Sequence, residues 1–283
     1  MGRSLRWWLR RLLPTPLRSR PLRRWAIAVV LVAGLFGWAI GPSWGEDAPA
    51  IDFSQFPAPQ VHPLPEGLRR WRDQPKARSP GATVNPQDDH YFDQMVASPL
   101  GHLVWSRWPV TIALVPPAVA PDRWLTAVRE AIADWSPYLA LQVLPVGTSE
   151  PADIVIQWGN PTLRTEAGLP RAANARTTYE FYWDRRGDRP RLTHRMLIQL
   201  RADRSPQQLL GTARHELGHA LGLWGHSRDR RDVMYEAAVA HPTHLSIRDL
   251  NTLVKVYEQP TRLGWAIAEP ASPSPSPVLL NPS

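Results

Sequence analysis

Hydrophobic and polar residues alternate regularly over one part of the chain, from about residue 103 to about residue 262. A helix is predicted early in this part, because Pro121 and Asp122 open a run of apolar residues at helical spacing that Pro137 ends. Apolar residues at every second position, or in short uninterrupted runs, are typical of strands. Such patterns predict strands at 110–114, 139–143, 153–158, 177–183 and 192–200.

Two further helices are predicted after the last strand, and each has a capping signal at its start. Ser205 and Gln208 form a capping box, and the helix that they open continues with apolar periodicity to Gly222. A second capping box, of Ser246 and Asp249, opens the last helix. This order of strands and helices predicts a single α+β domain.

The chain on either side of this domain has a different composition. Residues 1–24 form a basic tail, and residues 25–44 are apolar and uncharged. Proline is frequent in 45–102, which predicts a linker or a loosely structured pro-like segment. The Pro/Ser-rich stretch 263–283 is predicted to be a disordered tail. The predicted organisation is thus one domain, 103–262, with flanking segments at both ends.

The apolar segment 25–44 has the length of a short membrane-spanning helix. Eight arginines and no acidic residue precede it, and Glu46 and Asp47 follow it. The positive-inside rule therefore predicts that the domain is extracytoplasmic, either periplasmic or extracellular. An uncleaved membrane anchor is the favoured interpretation. A cleaved and secreted form stays open, because Ala48-Pro49-Ala50 is a candidate cleavage site.

The charge and the cysteine content exclude some classes of function. The net charge is +8 at neutral pH, which favours nucleic acid or acidic lipid as a partner. The eight arginines of residues 1–24 account for this charge, so residues 25–283 are together formally neutral and nucleic acid is not an expected partner. The chain has no cysteine, which excludes disulfide bonds, thiolate metal ligands and a cysteine nucleophile.

The helix that begins at Ser205 carries two histidines and a glutamate at a spacing that suits a metal. His215 and His219 are four residues apart, so their Cβ atoms lie about 5–6 Å apart on one helix face. Two imidazoles in this arrangement can bind one Zn²⁺ at about 2.0–2.1 Å each. Glu216 is displaced around the helix, where it can act as general base toward a water that the metal acidifies. The pattern arises by chance in roughly one protein of this length in a hundred.

The residues around this pattern resemble a known family. The run from His215 to Gly222, followed by His226, is similar to the zinc motif of the metzincins, and most similar to their matrixin branch. Val233-Met234-Tyr235 resembles the Met-turn of that family, and residues 245–249 resemble the start of its C-terminal helix. The resemblance covers about residues 103–260.

This resemblance implies an α+β fold with an α/β-like upper subdomain and a mixed sheet of about five strands. It also implies a long active-site helix, a Met-turn and a C-terminal helix. The implied cofactor is one catalytic Zn²⁺, with the ligands His215, His219 and His226. Glu216 would be the general base, Gly222 would let the chain turn, and Met234 would pack beneath the metal. The expected activity is zinc-dependent hydrolysis of peptide bonds by an endopeptidase; further structural zinc or calcium ions have no recognisable ligand loops.

The third ligand departs from the family spacing. The family places it ten residues after the first histidine, a position that Gly225 occupies, whereas His226 is eleven residues after His215. One extra residue can loop out, because the segment follows the helix and is rich in glycine. The fallback ligands are Asp229, Asp232, His241 and His244. A rival class of zinc peptidase uses a downstream glutamate, for which Glu236 is the nearest candidate.

The expected substrate is a protein or peptide that lies in extended form along an edge strand, for which residues 176–183 are the candidate. A membrane-tethered binding module that keeps the fold without proteolysis is the alternative, and the intact Glu216 argues against it. His194 lies in an alternating strand and is interpreted as a structural or surface histidine rather than a ligand.

Overall fold

The computed structural model describes residues 30–31, 56–75, 89–164, 170–172, 174–185, 187–237 and 244–267. The helices are α1 (Glu66–Asp73), α2 (Pro121–Trp135), α3 (Pro206–Ala220) and α4 (Ile247–Tyr257), with a short 3-10 helix at Phe92–Gln94. The strands are β1 (Val30–Leu31), β2 (Val110–Val115), β3 (Leu141–Val143), β4 (Ile154–Trp158), β5 (Thr162–Arg164), β6 (Pro170–Ala172), β7 (Ala175–Asp184) and β8 (Arg191–Leu200).

The main sheet is mixed and has the strand order β1-β7-β8-β4-β2-β3. Strands β3, β2, β4 and β8 run parallel, and β7 runs antiparallel to β8. The two residues of β1 pair with the outer edge of β7. The other strands of this sheet are those that the apolar alternation predicts, so the predicted mixed-sheet α+β fold is confirmed. The small antiparallel pair β5–β6 was not predicted.

The core lies between one face of the sheet and helices α2 and α3. Buried residues alternate with more exposed ones along β2, and the buried set is Val110, Ile112 and Leu114. Hydrogen bonds join α2 to α3. Trp135 Nε1 donates to the carbonyl oxygen of Arg214 at 3.1 Å, and Arg214 Nε donates to Asp134 Oδ2 at 2.6 Å. Because the Arg214 side chain is buried, this ion pair fixes the two helices relative to each other.

Hydrogen bonds hold both ends of α3. At the N-terminus, the capping box that was predicted at Ser205 is present. At the C-terminus, Trp105 Nε1 donates to the carbonyl oxygen of Ala220 at 2.9 Å, and the Tyr257 hydroxyl donates to that of Leu221 at 3.1 Å. These side chains satisfy carbonyl groups that the end of a helix leaves without partners.

The described residues of the segment 45–102 pack against the domain. Leu68 of α1 is fully buried, and Trp71 Nε1 donates to Asn251 Oδ1 of α4 at 3.1 Å. The prediction of a loosely structured segment was wrong for these residues. Their apolar side chains are too few to form a local pattern, and the contact to Asn251 joins residues 180 positions apart.

The predicted flanking segments fall mostly outside the described residues. This holds for the whole basic tail 1–24, and for the apolar segment 25–44 except the backbone of β1, which pairs with Tyr179 and Glu180. In the predicted tail 263–283, Leu263 is buried, so the domain extends past residue 262. No helix in the described parts of the chain is both long enough and apolar enough to span a membrane.

His194 lies in the core, on the buried face of β8. Its ring is fully buried and packs against that of Trp105, with the ring centroids 4.1 Å apart and the planes tilted by 33°. Neither ring nitrogen has a hydrogen-bond partner among the residues that the structure describes. Burial lowers the pKa of His194 to about 3, against a smaller opposing effect of the Asp153 charge. Of the two interpretations of this histidine, the structural one applies.

We expect His194 to make the stability of the domain depend on pH. The unfolded chain binds a proton at this residue below the ordinary pKa of 6.5, whereas the folded chain binds it only near 3. The free energy of unfolding should therefore fall by about 1.4 kcal/mol for each pH unit below 6.5 from this group alone. His194→Phe should lack this contribution, which urea unfolding at pH 7.5 and pH 5.0 would measure.

The exposed His244 offers a matched control, because its side chain is outside the core. His244→Phe should keep the pH dependence of the wild type. If His194→Phe and the wild type lost the same free energy between the two pH values, burial of His194 would not be the cause.

Candidate metal centre

Three histidines converge at the end of α3. The ring centroids of His215 and His219, one helical turn apart, are separated by 4.8 Å. The ring of His226, from the loop after the helix, lies 5.2 Å and 5.0 Å from these two rings. One ligand atom from each histidine can be chosen such that all three lie within 4.8 Å of one another. The structure thus brings together the three residues that were predicted as ligands.

Two of the imidazoles are oriented by backbone carbonyl groups. His215 Nδ1 lies 2.9 Å from the carbonyl oxygen of Val233, and His219 Nδ1 lies 2.7 Å from that of Leu223. A carbonyl oxygen only accepts, so in each pair Nδ1 carries the hydrogen and donates it. The lone pair of each histidine is then on Nε2, as in metal sites where a second partner fixes the tautomer of the ligand.

Burial keeps two of the three histidines in the form that binds metals. Burial, and then the charges of His215 and His226, lower the pKa of His219 well below its ordinary value. Burial, followed by the charge of His215, lowers the pKa of His226 to about 3. Neutral imidazole is the form that coordinates a metal. Three histidine nitrogens around one point fit a tetrahedral zinc ion that keeps its fourth position open for catalysis.

The fallback ligands lie elsewhere or are engaged in other contacts. Asp229 pairs with Arg231, whose hydrogen bonds lower the pKa of that carboxyl to about 2. Asp232 is buried and accepts from Ser246 Oγ at 2.7 Å, from Arg248 Nε at 3.0 Å, and from Ser227 Oγ. Across the described residues, the one group with metal-binding geometry contains neither these aspartates nor His244 nor the rival Glu236. His241 lies outside the described residues.

Two consecutive tight turns absorb the extra residue before His226. Trp224 N donates to Gly222 O at 2.9 Å, and Gly225 N donates to Leu223 O at 3.0 Å. Gly222 has a φ of +125°, a conformation that favours glycine. The chain reverses within these residues, so a histidine eleven positions after His215 reaches the same point as the other two. Gly222, which was predicted as the turning residue, lies at this reversal.

Trp224, the bulky residue of this loop, points inward and is 5% exposed. Its ring lies edge-on to Tyr179 of β7 at 5.0 Å and to His219 at 5.7 Å. Sequence reasoning did not assign a role to Trp224, because nothing in the local pattern shows which way a loop side chain turns.

The segment before β2 packs directly on the same loop. Val96 N donates to the carbonyl oxygen of Trp224 at 2.8 Å. A Cβ atom on Gly225 would lie only 2.2 Å from the carbonyl oxygen of Gln94. Glycine is therefore required at position 225 by the close approach of another backbone rather than by its own φ.

Met234 lies beneath α3 and is fully buried. A Cβ atom on Gly218 would be 2.2 Å from the Met234 sulfur, so the helix and the methionine are in direct contact. Asp249 Oδ2, at the start of α4, accepts from Val233 N at 2.9 Å, and Ser227 N donates to the Met234 carbonyl oxygen at 2.7 Å. The loop around Met234 is thereby tied both to α4 and to the residue after His226.

Glu216 is 8% exposed and faces strand β7. Its Oε2 accepts a hydrogen bond from Thr177 Oγ1 at 2.5 Å. Burial raises the pKa of Glu216, and the charge of His215 and hydrogen bonds from Thr177 oppose this rise. Sequence reasoning missed Thr177; the only signal was that it shares the inward-facing phase of β7 with Tyr179 and Phe181.

A family model described as Matrixin matches residues 104–258, which is more than half of the chain. The matched region includes all three histidines, Glu216 and Met234, and it ends one residue after α4. The chain matches no curated protein.

We expect Gly225→Ala to disturb the loop that carries His226. The new Cβ atom would overlap the Gln94 backbone, which cannot rotate away as a flexible side chain can. Overpacking of this kind costs about 1–3 kcal/mol of folding free energy. We also expect zinc affinity to fall by about 10-fold, because the adjacent ligand is displaced. Urea unfolding and competition with a zinc chelator would measure the two effects.

Gly187 provides the matched control, because a Cβ atom there would meet no atom within 4 Å. Gly187→Ala should change the free energy of unfolding by less than about 0.5 kcal/mol and leave zinc affinity unchanged. Equal effects of the two substitutions would contradict the role of the Gln94 contact.

Proposed function

Since this chain belongs to the matrixin family, we propose that it is a zinc-dependent endopeptidase. Membership of this family supports a hydrolase of the metallopeptidase type with protein or peptide substrates. The observation that carries the finer proposal is the convergence of His215, His219 and His226 next to a buried glutamate. A binding module would not require a carboxylate at that position.

In this proposal the three histidines hold zinc through one ring nitrogen each, which is Nε2 for His215 and His219. Zinc bound there would supply Lewis acidity that activates a water and polarises the scissile carbonyl. The carbonyl oxygens of Val233 and Leu223 keep two of the rings in the required tautomer. Met234 and Gly218 pack tightly enough to hold the helix and the loop at a constant separation.

Glu216 acts as the general base. Its carboxylate accepts a proton from the attacking water and then passes that proton to the leaving amine as the peptide bond breaks. The burial of Glu216 raises its pKa, which makes the carboxyl a better proton acceptor than an exposed glutamate. The same residue therefore serves both proton transfers without a second acid.

Strand β7 is the proposed docking edge for the substrate. One side of β7 pairs with β8 along its full length, whereas on the other side the described residues cover only Tyr179 and Glu180. A peptide in extended form could add to this side through backbone hydrogen bonds. Thr177 of β7 contacts Glu216, so a peptide on this edge would lie beside the general base.

We also propose an extracytoplasmic location for the domain. The support is the sequence pattern alone: eight arginines before an apolar segment and acidic residues after it. Alkaline phosphatase fused after residue 283 and expressed in a bacterial host should be active, because this reporter folds only outside the cytoplasm. Substitution of the eight arginines by glutamine should lower that activity, and a reporter inactive in the wild-type fusion would contradict the proposal.

The test of the enzymatic proposal uses the full chain, because Val96, which precedes residue 103, donates a hydrogen bond to the loop that carries His226. We expect one zinc ion per chain and cleavage of an unfolded protein substrate that a zinc chelator abolishes. Glu216→Gln should keep the zinc ion and lose about 10²–10⁴ in kcat, the usual contribution of a general base. Metal analysis and a cleavage assay would measure both.

Glu236→Gln is the matched control. Glu236 is exposed, and it is the nearest candidate for the glutamate ligand of the rival class of zinc peptidase. It should keep both zinc and activity. A folded wild-type protein without zinc or cleavage would contradict the proposed function. His226→Ala with unchanged zinc affinity would contradict only the assignment of the third ligand.

A further inference from the structure

The contact between Thr177 and Glu216 joins strand β7 to helix α3. Thr177 is 5% exposed, and its hydroxyl lies 2.5 Å from Oε2 of Glu216 and 3.3 Å from the carbonyl oxygen of the same residue. The two residues are 39 positions apart, so only the fold brings them together.

The hydroxyl has a single hydrogen to donate. The shorter contact is to the carboxylate, and hydrogen bonds to a charged acceptor are about twice as strong as those between neutral groups. Donation to Oε2 therefore prevails over donation to the carbonyl oxygen. The second carboxylate oxygen, Oε1, is not part of this bond.

We propose that Thr177 is a positioning residue that gives the two carboxylate oxygens of Glu216 different roles. Oε2 is held by the strand, and Oε1 is left to accept the proton of the attacking water and release it to the leaving amine. This inference rests on the proposed function. It adds Thr177 of β7 to that function, as a residue that acts through the general base Glu216 and is not a metal ligand.

The geometry gives this bond a further consequence. A carboxylate with one oxygen held cannot rotate freely about its terminal bond, so Oε1 keeps one direction while the substrate binds. The residue that holds it belongs to the strand proposed to pair with the peptide. Docking of the peptide and the orientation of the base are therefore set by the same backbone segment.

The test compares Thr177→Val, which removes the hydroxyl at almost constant shape, with Thr177→Ser, which retains it. We expect Thr177→Val to lower kcat by about 10–100-fold, the usual effect of losing a hydrogen bond to a charged group. KM should change by less than about 2-fold, because the bond orients the base and does not bind the substrate. Thr177→Ser should restore most of kcat, and both variants should bind one zinc ion with wild-type affinity.

Thr193 of β8 is the matched control, because it alternates with the buried residues Leu192 and His194 and so faces the side of the sheet away from the core. Thr193→Val should leave kcat, KM and zinc affinity unchanged. If Thr177→Val shifts the urea midpoint of unfolding of the metal-free protein, Thr177→Ala is compared with Thr177→Ser instead. Alanine also removes the hydroxyl and adds no volume.

A readout independent of cleavage is the double-mutant cycle of Thr177→Val and Glu216→Ala in urea unfolding. The coupling should change the unfolding constant by about 10-fold, as expected for a charge-assisted hydrogen bond. Absence of coupling, or wild-type kcat in Thr177→Val, would overturn the inference. Equal loss of kcat in Thr177→Val and Thr177→Ser would also overturn it, because a packing role predicts that result. Absence of cleavage by the wild type would instead reject the proposed function, whatever the cycle shows.

Discussion

The metal centre depends on where α3 ends. The helix must stop one residue after His219, and the chain must then reverse for His226 to face the two helical histidines. Trp105 and Tyr257 bind the last free carbonyl groups of the helix, and Gly222 adopts the positive φ that the reversal needs. If the helix continued past Ala220, the imidazole of His226 would lie farther along the helix axis, away from the imidazoles of His215 and His219.

Buried carboxylates hold the lower side of the site, and Asp249 connects the largest number of chain segments there. Asp249 accepts hydrogen bonds from the backbone of Val233 and Ser246 and from the hydroxyl of Tyr91. It therefore joins the methionine loop, the start of α4 and the segment that precedes the domain. Because the carboxylate is fully buried, the loss of any of these donors would leave part of its desolvation uncompensated. The segment before residue 103 is for this reason part of the folded unit.

The site is built from three kinds of element, and each contributes in a different way. The helix fixes the spacing of the first two histidines, the loop carries the third, and the sheet edge reaches the general base through Thr177. The lowered pKa values of His219 and His226 and the raised pKa of the buried Glu216 have desolvation as their largest cause. That desolvation favours neutral ligands and a stronger base, and both suit hydrolysis assisted by a metal.

Several features could be predicted from the sequence because they depend on residues near one another along the chain. The capping boxes at Ser205 and Ser246, the strand alternation and the pair His215 and His219 are of this kind. Only the tertiary structure showed the inward turn of Trp224 and the contact of Thr177 with Glu216. A local pattern shows which side of an element is buried, but the neighbour across the core is selected by packing of the whole chain.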